Sequence, residues 1–274
     1  MTSSRPRNIK QTGRGRILSW RGGSIWIGRA EESTDFHAHH AIQVAFSLSA
    51  GALRFRSACG DWETYSAAVI RANHAHAFLA RGELVATIFV EPESREGQAI
   101  GERFRDGIAS IAGVVSQSAI ALLAAAYTDQ HADADLADCA RAVITSLAAT
   151  CPYPAEPVDA RILHAIDLLH QRLSEPICLG DIADAVHLSP DRFRHLFVEQ
   201  TGTRFRPFVL WLRLTSALSS YAAGASLTEA SHVAGFADSA HFSRTFRRMF
   251  GASPVSLQPE QPFRSSQGSR HGLH

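Results

Sequence analysis

Lysine is nearly absent from this sequence: of 27 lysine and arginine residues, only Lys10 is a lysine. That excludes a lysine-rich polycationic arm, and a net charge of +1 leaves no strong overall field to draw the chain onto nucleic acid or an anionic membrane. Any DNA contact must come from arginine placed locally, where its planar fork suits phosphate and guanine; codon usage is the plainer source of the arginine excess itself. Cysteine is sparse too. Cys59, Cys139, Cys151 and Cys178 are scattered with no C-x-x-C pair, which indicates neither a zinc–thiolate site nor a disulfide framework. Buried free thiols in a reducing cytoplasm are expected. Long apolar runs are missing as well. The longest, near residues 119–127 and 84–90, fall short of the ~20 residues a spanning helix needs. Residues 1–16 are polar and basic, without the apolar stretch of a signal peptide. A cytoplasmic protein with no membrane partner is expected.

What is present is globular: 45% hydrophobic against 19% charged residues places the chain outside disordered composition. At roughly 100–200 residues per domain, 274 residues predict two domains. Residues 1–16 read as a flexible basic tail. From residue 17 to about 92 the pattern is strand-like. Runs rich in Val, Ile and Phe at 24–28, 41–48, 52–56, 67–71 and 84–90 are separated by Gly22-Gly23, Ala50-Gly51 and Gly60-Asp61. Many short strands with tight turns predict a barrel or jelly roll. From about Glu96 to Ala149 the spacing turns helical, with Ile120, Leu123 and Tyr127 on one stripe. Such a segment either packs back on the barrel or forms a dimer face. Three prolines within residues 151–157 then interrupt all periodicity and read as a stiff linker. The expected organisation is a sensing domain at 17–150, the linker at 151–157, an all-helical domain at 158–258 and a polar, disordered tail at 259–274. The fold class is α+β.

The helical part repeats itself. Two units of short helix, brief turn and longer amphipathic helix lie about fifty residues apart, as a tandem helix-turn-helix requires. The second helix of such a unit needs an apolar back and a polar front. Residues 190–200 offer Phe193, Leu196 and Phe197 behind, with Asp191, Arg192, Arg194 and His195 in front. Residues 239–250 offer Phe242, Phe246 and Phe250 behind, with Ala240, His241, Ser243, Arg244 and Arg247 in front. A connecting helix from Arg204 to Tyr221, rising ~1.5 Å per residue, spans roughly 27 Å. That approaches the ~34 Å between successive major grooves on one face of DNA.

The stretch from Val158 to Gln258 resembles the DNA-binding domain of AraC/XylS-type transcription regulators. The resemblance is carried by Leu179-Gly-Asp-Ile-Ala183, Ser189-Pro-Asp-Arg-Phe-Arg-His-Leu-Phe197, Gly202, Arg213-Leu214 and Ala217. Its strongest part is Gly235-Phe-Ala-Asp-Ser-Ala-His-Phe-Ser-Arg-Thr-Phe-Arg-Arg-Met-Phe-Gly251, followed by Ser253-Pro254. Ser231 stands where alanine is usual, and Leu257-Gln258 replaces an aromatic–arginine pair. The resemblance implies that Asp191, Arg194 and His195, and Ala240, Ser243 and Arg244, face DNA bases. Arg194 and Arg244 are the leading candidates for guanine or phosphate contacts; Asp191 is expected to support its helix N-terminus rather than read a base.

In the first half, His37, His39 and His40 are expected on one strand, with His37, His39 and Gln43 sharing a face, while His74 and His76 share another. The spacing His-x-His-x-x-x-Gln, followed by Asn73-His-Ala-His-Ala-Phe78, resembles the two motifs of cupin barrels, although metal-binding cupins usually carry glutamate where Gln43 stands. Three readings of His37, His39, Gln43 and His76 remain open: an effector pocket, a divalent-metal site through His37, His39 and His76, or hydrogen-bonded structural residues. No nucleophile–base pair with credible spacing and no glycine-rich phosphate loop is seen, so no catalytic residue is assigned. The expected function is a transcription regulator, not an enzyme, with a cupin-like barrel that senses a small molecule. Promoter DNA is its partner, and RNA polymerase and a second copy of the chain are further candidates. The rivals are a metal-dependent cupin enzyme with a helical appendage, a metal-responsive regulator, and an architectural DNA binder without a sensor.

Overall fold

The computed structural model describes residues 13–49, 51–151 and 157–260. The core of the expected linker (152–156) and the tails before 13 and after 260 lie outside the described residues. The strand-like region forms two sheets. The larger is built from β1 (Gly13–Trp20), β2 (Gly23–Ala30), β3 (Ile42–Ser47), β6 (Ala67–Ile70), β8 (Leu84–Val90), β9 (Ile108–Ser110) and β10 (Leu257–Pro259), in the order β10-β1-β2-β8-β3-β6-β9. The smaller contains β4 (Leu53–Ser57), β5 (Glu63–Tyr65) and β7 (His76–Leu79), in the order β5-β4-β7.

The large sheet is covered on both faces, and its strands show it. In β3 the first five residues are buried, because a strand enclosed on both sides carries an apolar run rather than an alternation. Ile42, Val44 and Phe46 point outward with Ile25, Ile27 and Ile88 toward α2 (Gln117–Thr128) and α3 (Asp133–Ala149), which supply Leu123, Leu136, Val143 and Leu147. A shorter α1 (Arg95–Arg103) precedes them. The helical segment therefore packs back onto the sheet. On the inner face, Ala45, Ala68, Ile70 and Val85 meet Leu53 and Phe55 of the small sheet. Only part of the inner face is closed in this way.

The helical half consists of α4 (Ala160–Gln171), α5 (Leu179–Ala185), α6 (Pro190–Thr201), α7 (Phe205–Ala222), α8 (Leu227–Val233) and α9 (Ser239–Phe250). Local signals set their ends. Ser189 accepts from the Arg192 amide, with Pro190 as the first helical residue, and Asp238 accepts from the His241 amide. Ser226 and Glu229 form a reciprocal capping box on α8. Gly202 and Gly251 stop α6 and α9 in the left-handed region at φ 66° each, which glycine enters without a Cβ penalty. Phe193, Phe197, Phe208, Trp211, Phe242 and Phe246 pack together in one core.

Four expectations need correction. The basic tail is shorter than expected, since β1 begins at Gly13 and Arg16 is buried: its guanidinium pairs with Asp133 and donates to the His131 carbonyl at 2.9 Å. The region read as continuous helix contains β9, which extends the sheet beside β6. Leu257 and Gln258, expected within the all-helical domain, and Pro259, expected in the disordered tail, follow a single 3-10 turn (Pro254–Ser256) and pair in parallel with β1. The thiols are not buried: Cys59 and Cys178 are exposed, and Cys139 and Cys151 are half-buried.

Candidate nucleic-acid interface and sensor seam

The two longer helices of the repeat present the fronts expected of them. On α6, Asp191, Arg192, Arg194 and His195 are all exposed, while Phe193, Leu196 and Phe197 are buried. On α9, Ala240, Arg244 and Arg247 are exposed over buried Phe242 and Phe246. Two members of the front are partly used up. Ser243 is half-buried and its hydroxyl donates to the Ser239 carbonyl at 2.8 Å; His241 is half-buried with its ring edge-on to Phe236 at 5.3 Å. Asp191 accepts from Arg194 Nη1 at 2.6 Å in the first turn of α6. Its negative charge there also complements the helix N-terminus. The connecting helix α7 has 18 residues, or roughly 27 Å at ~1.5 Å per residue.

The backs of these helices do not face only their own core. The uncovered part of the inner sheet face receives α7 and α9. Strand register builds that face as two rows: Ser19, Ser24, Phe89 and Gln43 lie across from one another, and Ile17, Trp26, Thr87 and Ala45 form the next. Between these rows and Thr215, Leu218, Phe246 and Phe250 lies a cavity of about 110 Å³. His37, Gln43 and Phe78 complete its wall from the N-terminal half. Periodicity marked Phe246 and Phe250 as the apolar back of a recognition helix, but it carried no signal that this back forms a pocket wall.

A polar clasp closes the seam beside the cavity, and it holds the C-terminal ends of α6 and α9. The Asp35 amide donates to the Gly251 carbonyl at 2.8 Å, at the end of α9. The Asn73 amide donates to the Gly202 carbonyl at 3.3 Å and to Thr203 Oγ at 3.1 Å, at the end of α6. His40 spans Thr203 Oγ1 and Glu93 Oε2, each at 2.8 Å. Asp35, Glu93 and Thr203 were not singled out from sequence, and Asn73 only as the first residue of a motif, because each is an ordinary polar residue whose partner lies far along the chain.

The histidines are not on one strand. His37 makes an isolated bridge to His76, and His39 and His40 lie in the loop that leads into β3. The cluster assembles nevertheless: His37, His39 and His76 are buried, and each offers a ring nitrogen within 4.8 Å of the others. The Gln43 amide stands 3.0 Å from His39 Nε2 and 3.1 Å from His76 Nε2. His74 does not join them; its Nε2 meets Ser57 Oγ at 2.9 Å. Burial depresses the basicity of the group. His39, fully enclosed and beside His37, is held down to about 4, and His76 lies well below the ordinary histidine value for the same reasons. Burial lowers His37 as well, so the enclosure disfavours the charged form of all three rings.

Comparison with known proteins agrees with this geometry in the helical half. A family profile described as a helix-turn-helix domain matches residues 182–258. The transcriptional activator RhaS of Escherichia fergusonii is 36% identical over 104 residues, 38% of this chain and 37% of that protein. YpdC of Escherichia coli K12, an uncharacterized HTH-type transcriptional regulator, is 29% identical over 107 residues, again 38% of this chain and 37% of that protein. This chain therefore spans little more than a third of the length of these relatives. Over the whole fold, ToxT from Vibrio cholerae O395 superposes with a TM-score of 0.57 at 12% identity, covering 86% of this chain and 96% of that one; the likeness is one of architecture. The helical repeat described above coincides with the profile, and residues 182–258 form a helix-turn-helix domain.

Proposed function

We propose that the chain is a sequence-specific, non-enzymatic transcription regulator that reads promoter DNA with α6 and α9 and senses a small, largely apolar molecule in the cavity at the seam. One observation carries the reading: the back of the candidate recognition helix α9 is itself a wall of the cavity, through Phe246 and Phe250. A molecule bound there touches the sensor sheet and the DNA-reading element at once. It has differential affinity for the docked and undocked arrangements of the two, which is what a population shift requires. The volume, about 110 Å³, suits a compound of about one ring, since dry cavities near 150 Å³ admit benzene.

The same reading gives the exposed fronts their roles, with Arg194, Arg244, Arg192 and Arg247 at bases or phosphates and His195, Ala240, His241 and Ser243 beside them. It places the chain in the cytoplasm with RNA polymerase and a second copy as further partners; no helix among the described residues is long and apolar enough to cross a membrane. The test is to recover DNA bound by the purified protein from its source genome and sequence it, then measure affinity for a recovered duplex with and without compounds that raise the melting temperature. A shared motif and a compound-dependent change in affinity are expected. Random recovery, or affinity indifferent to every stabilising compound, would refute the reading.

A further inference from the structure

All three clustered histidines spend the same nitrogen in the same way. Nδ1 of His37 lies 2.8 Å from the Asp35 carbonyl, Nδ1 of His39 lies 2.8 Å from the Ala41 carbonyl, and Nδ1 of His76 lies 2.8 Å from the His74 carbonyl. A carbonyl only accepts, so each Nδ1 carries the proton and donates it. In neutral rings that leaves three Nε2 lone pairs. A backbone carbonyl on the far nitrogen is the arrangement that orients histidines toward a metal, because it fixes both the tautomer and the ring plane.

The near side of the cluster has acceptors but no donor. The Gln43 amide oxygen faces Nε2 of His39 and of His76 at 3.0 and 3.1 Å, and against two lone pairs it has no proton to share. Four acceptors thus converge among buried side chains: His37 is 7% exposed, His39 3%, Gln43 4% and His76 0%. A cation resolves that conflict; the alternative is an amide turned to give both its N–H groups to the two rings.

We propose that His37, His39 and His76 bind one divalent first-row transition metal of the zinc class through their Nε2 atoms, with the Gln43 amide oxygen on the fourth side. The donor set of neutral imidazoles and an amide oxygen suits zinc, nickel, copper or iron rather than magnesium or calcium. His37 and Gln43 also line the cavity, which gives the ion an entry path. The site belongs to the seam. His37 follows Asp35, whose amide holds the end of α9, and the His39 ring lies 6.0 Å from Trp211 of α7 and 6.1 Å from Phe250 of α9. The three rings each bring a nitrogen within 4.8 Å of the others, so small movements of the side chains bring them to the ~2.0–2.1 Å at which one zinc-class ion is bound. The site stands independently of the effector reading.

The test uses the full chain without an affinity tag, stripped with chelator and titrated with Zn²⁺ and with Co²⁺ as a visible probe. One equivalent per chain with a Kd below about 1 µM is expected, together with a rise in melting temperature and a cobalt spectrum of low coordination number. His37→Gln and His76→Gln, checked for wild-type folding by circular dichroism of the metal-free protein, should each weaken binding at least about tenfold. Gln43→Glu leaves the three histidines intact and supplies a carboxylate, and should tighten binding by about tenfold or more. Failure to bind by wild type and Gln43→Glu alike would overturn the proposal, as would folded histidine variants that bind as wild type does.

Discussion

Arg244→Ala isolates the chemistry of DNA reading from that of folding. Arg244 is exposed on α9, and no ion pair or hydrogen bond among the described residues engages it. Its truncation should therefore leave stability within about 0.5 kcal/mol of wild type, as for ordinary surface sites. A bidentate contact to a guanine edge is worth about 1–3 kcal/mol, so affinity for a genome-selected duplex should fall roughly 5- to 150-fold. A phosphate contact predicts something else: weakening on every sequence, and a slope of log K against log salt that is shallower by about 0.9. Fluorescence anisotropy at several salt concentrations, on the selected duplex and a scrambled one, separates the two. Arg194 supplies the internal contrast. It is already paired with Asp191, both side chains largely exposed at 56% and 83%, and such a pair is worth only about 0–1 kcal/mol. Arg194→Ala should thus cost somewhat less affinity than Arg244→Ala, and Asp191→Ala should strengthen binding by freeing Arg194 and removing a charge that repels phosphate. Wild-type affinity and salt slope in folded Arg244→Ala would refute the assignment of α9 as a reading helix.

Three further outcomes follow from the seam. Thr87 points from the middle of β8 into the cavity, so Thr87→Phe should fill it; the shift in melting temperature that ring-sized compounds give to wild type should vanish, with the unliganded melting temperature kept within a few degrees. Gly251 combines φ 66° with a Cβ position that would meet the Asp35 carbonyl and the His37 ring, so Gly251→Ala should cost more than about 1 kcal/mol in urea unfolding and loosen the end of α9 in hydrogen exchange. Glu91 is raised to about 8, first by burial and then by Glu93. A carboxyl raised in the folded state binds more protons there than in the unfolded chain. Its contribution is favourable below the unfolded value of 4.5 and is lost as pH climbs toward 8. Glu91→Gln should therefore melt progressively higher than wild type as pH rises from 5 to 8, and a constant difference across that range would contradict the sign.

How much was legible in advance depended on the range of the interaction. Helix ends were readable because caps act within three or four residues: Ser189-Pro190, Asp238, Gly202 and Gly251 each stand where the chain begins or ends a helix. Strands β2, β3, β4, β6 and β8 were readable from β-branched and aromatic runs between turns. The three-residue strands β9 and β10 were not, since each exists only because a neighbour offers an open edge, β6 in one case and β1 in the other. The histidine spacing pointed to a common site, but the supposed strand was a loop; a loop closed by the bridge from His37 to His76 brings the same rings together.

Amino-acid order alone determined that the C-terminal third would be a tandem of helix-turn-helix units with arginine fronts, because periodicity, caps and glycine stops are local properties of the chain. Tertiary structure alone decided what the backs of those helices touch. Phe246 and Phe250 complete a cavity, and Gly202 and Gly251 are held by Asn73 and Asp35. Those pairings join residues more than a hundred positions apart, where no local pattern records which apolar face will meet which sheet.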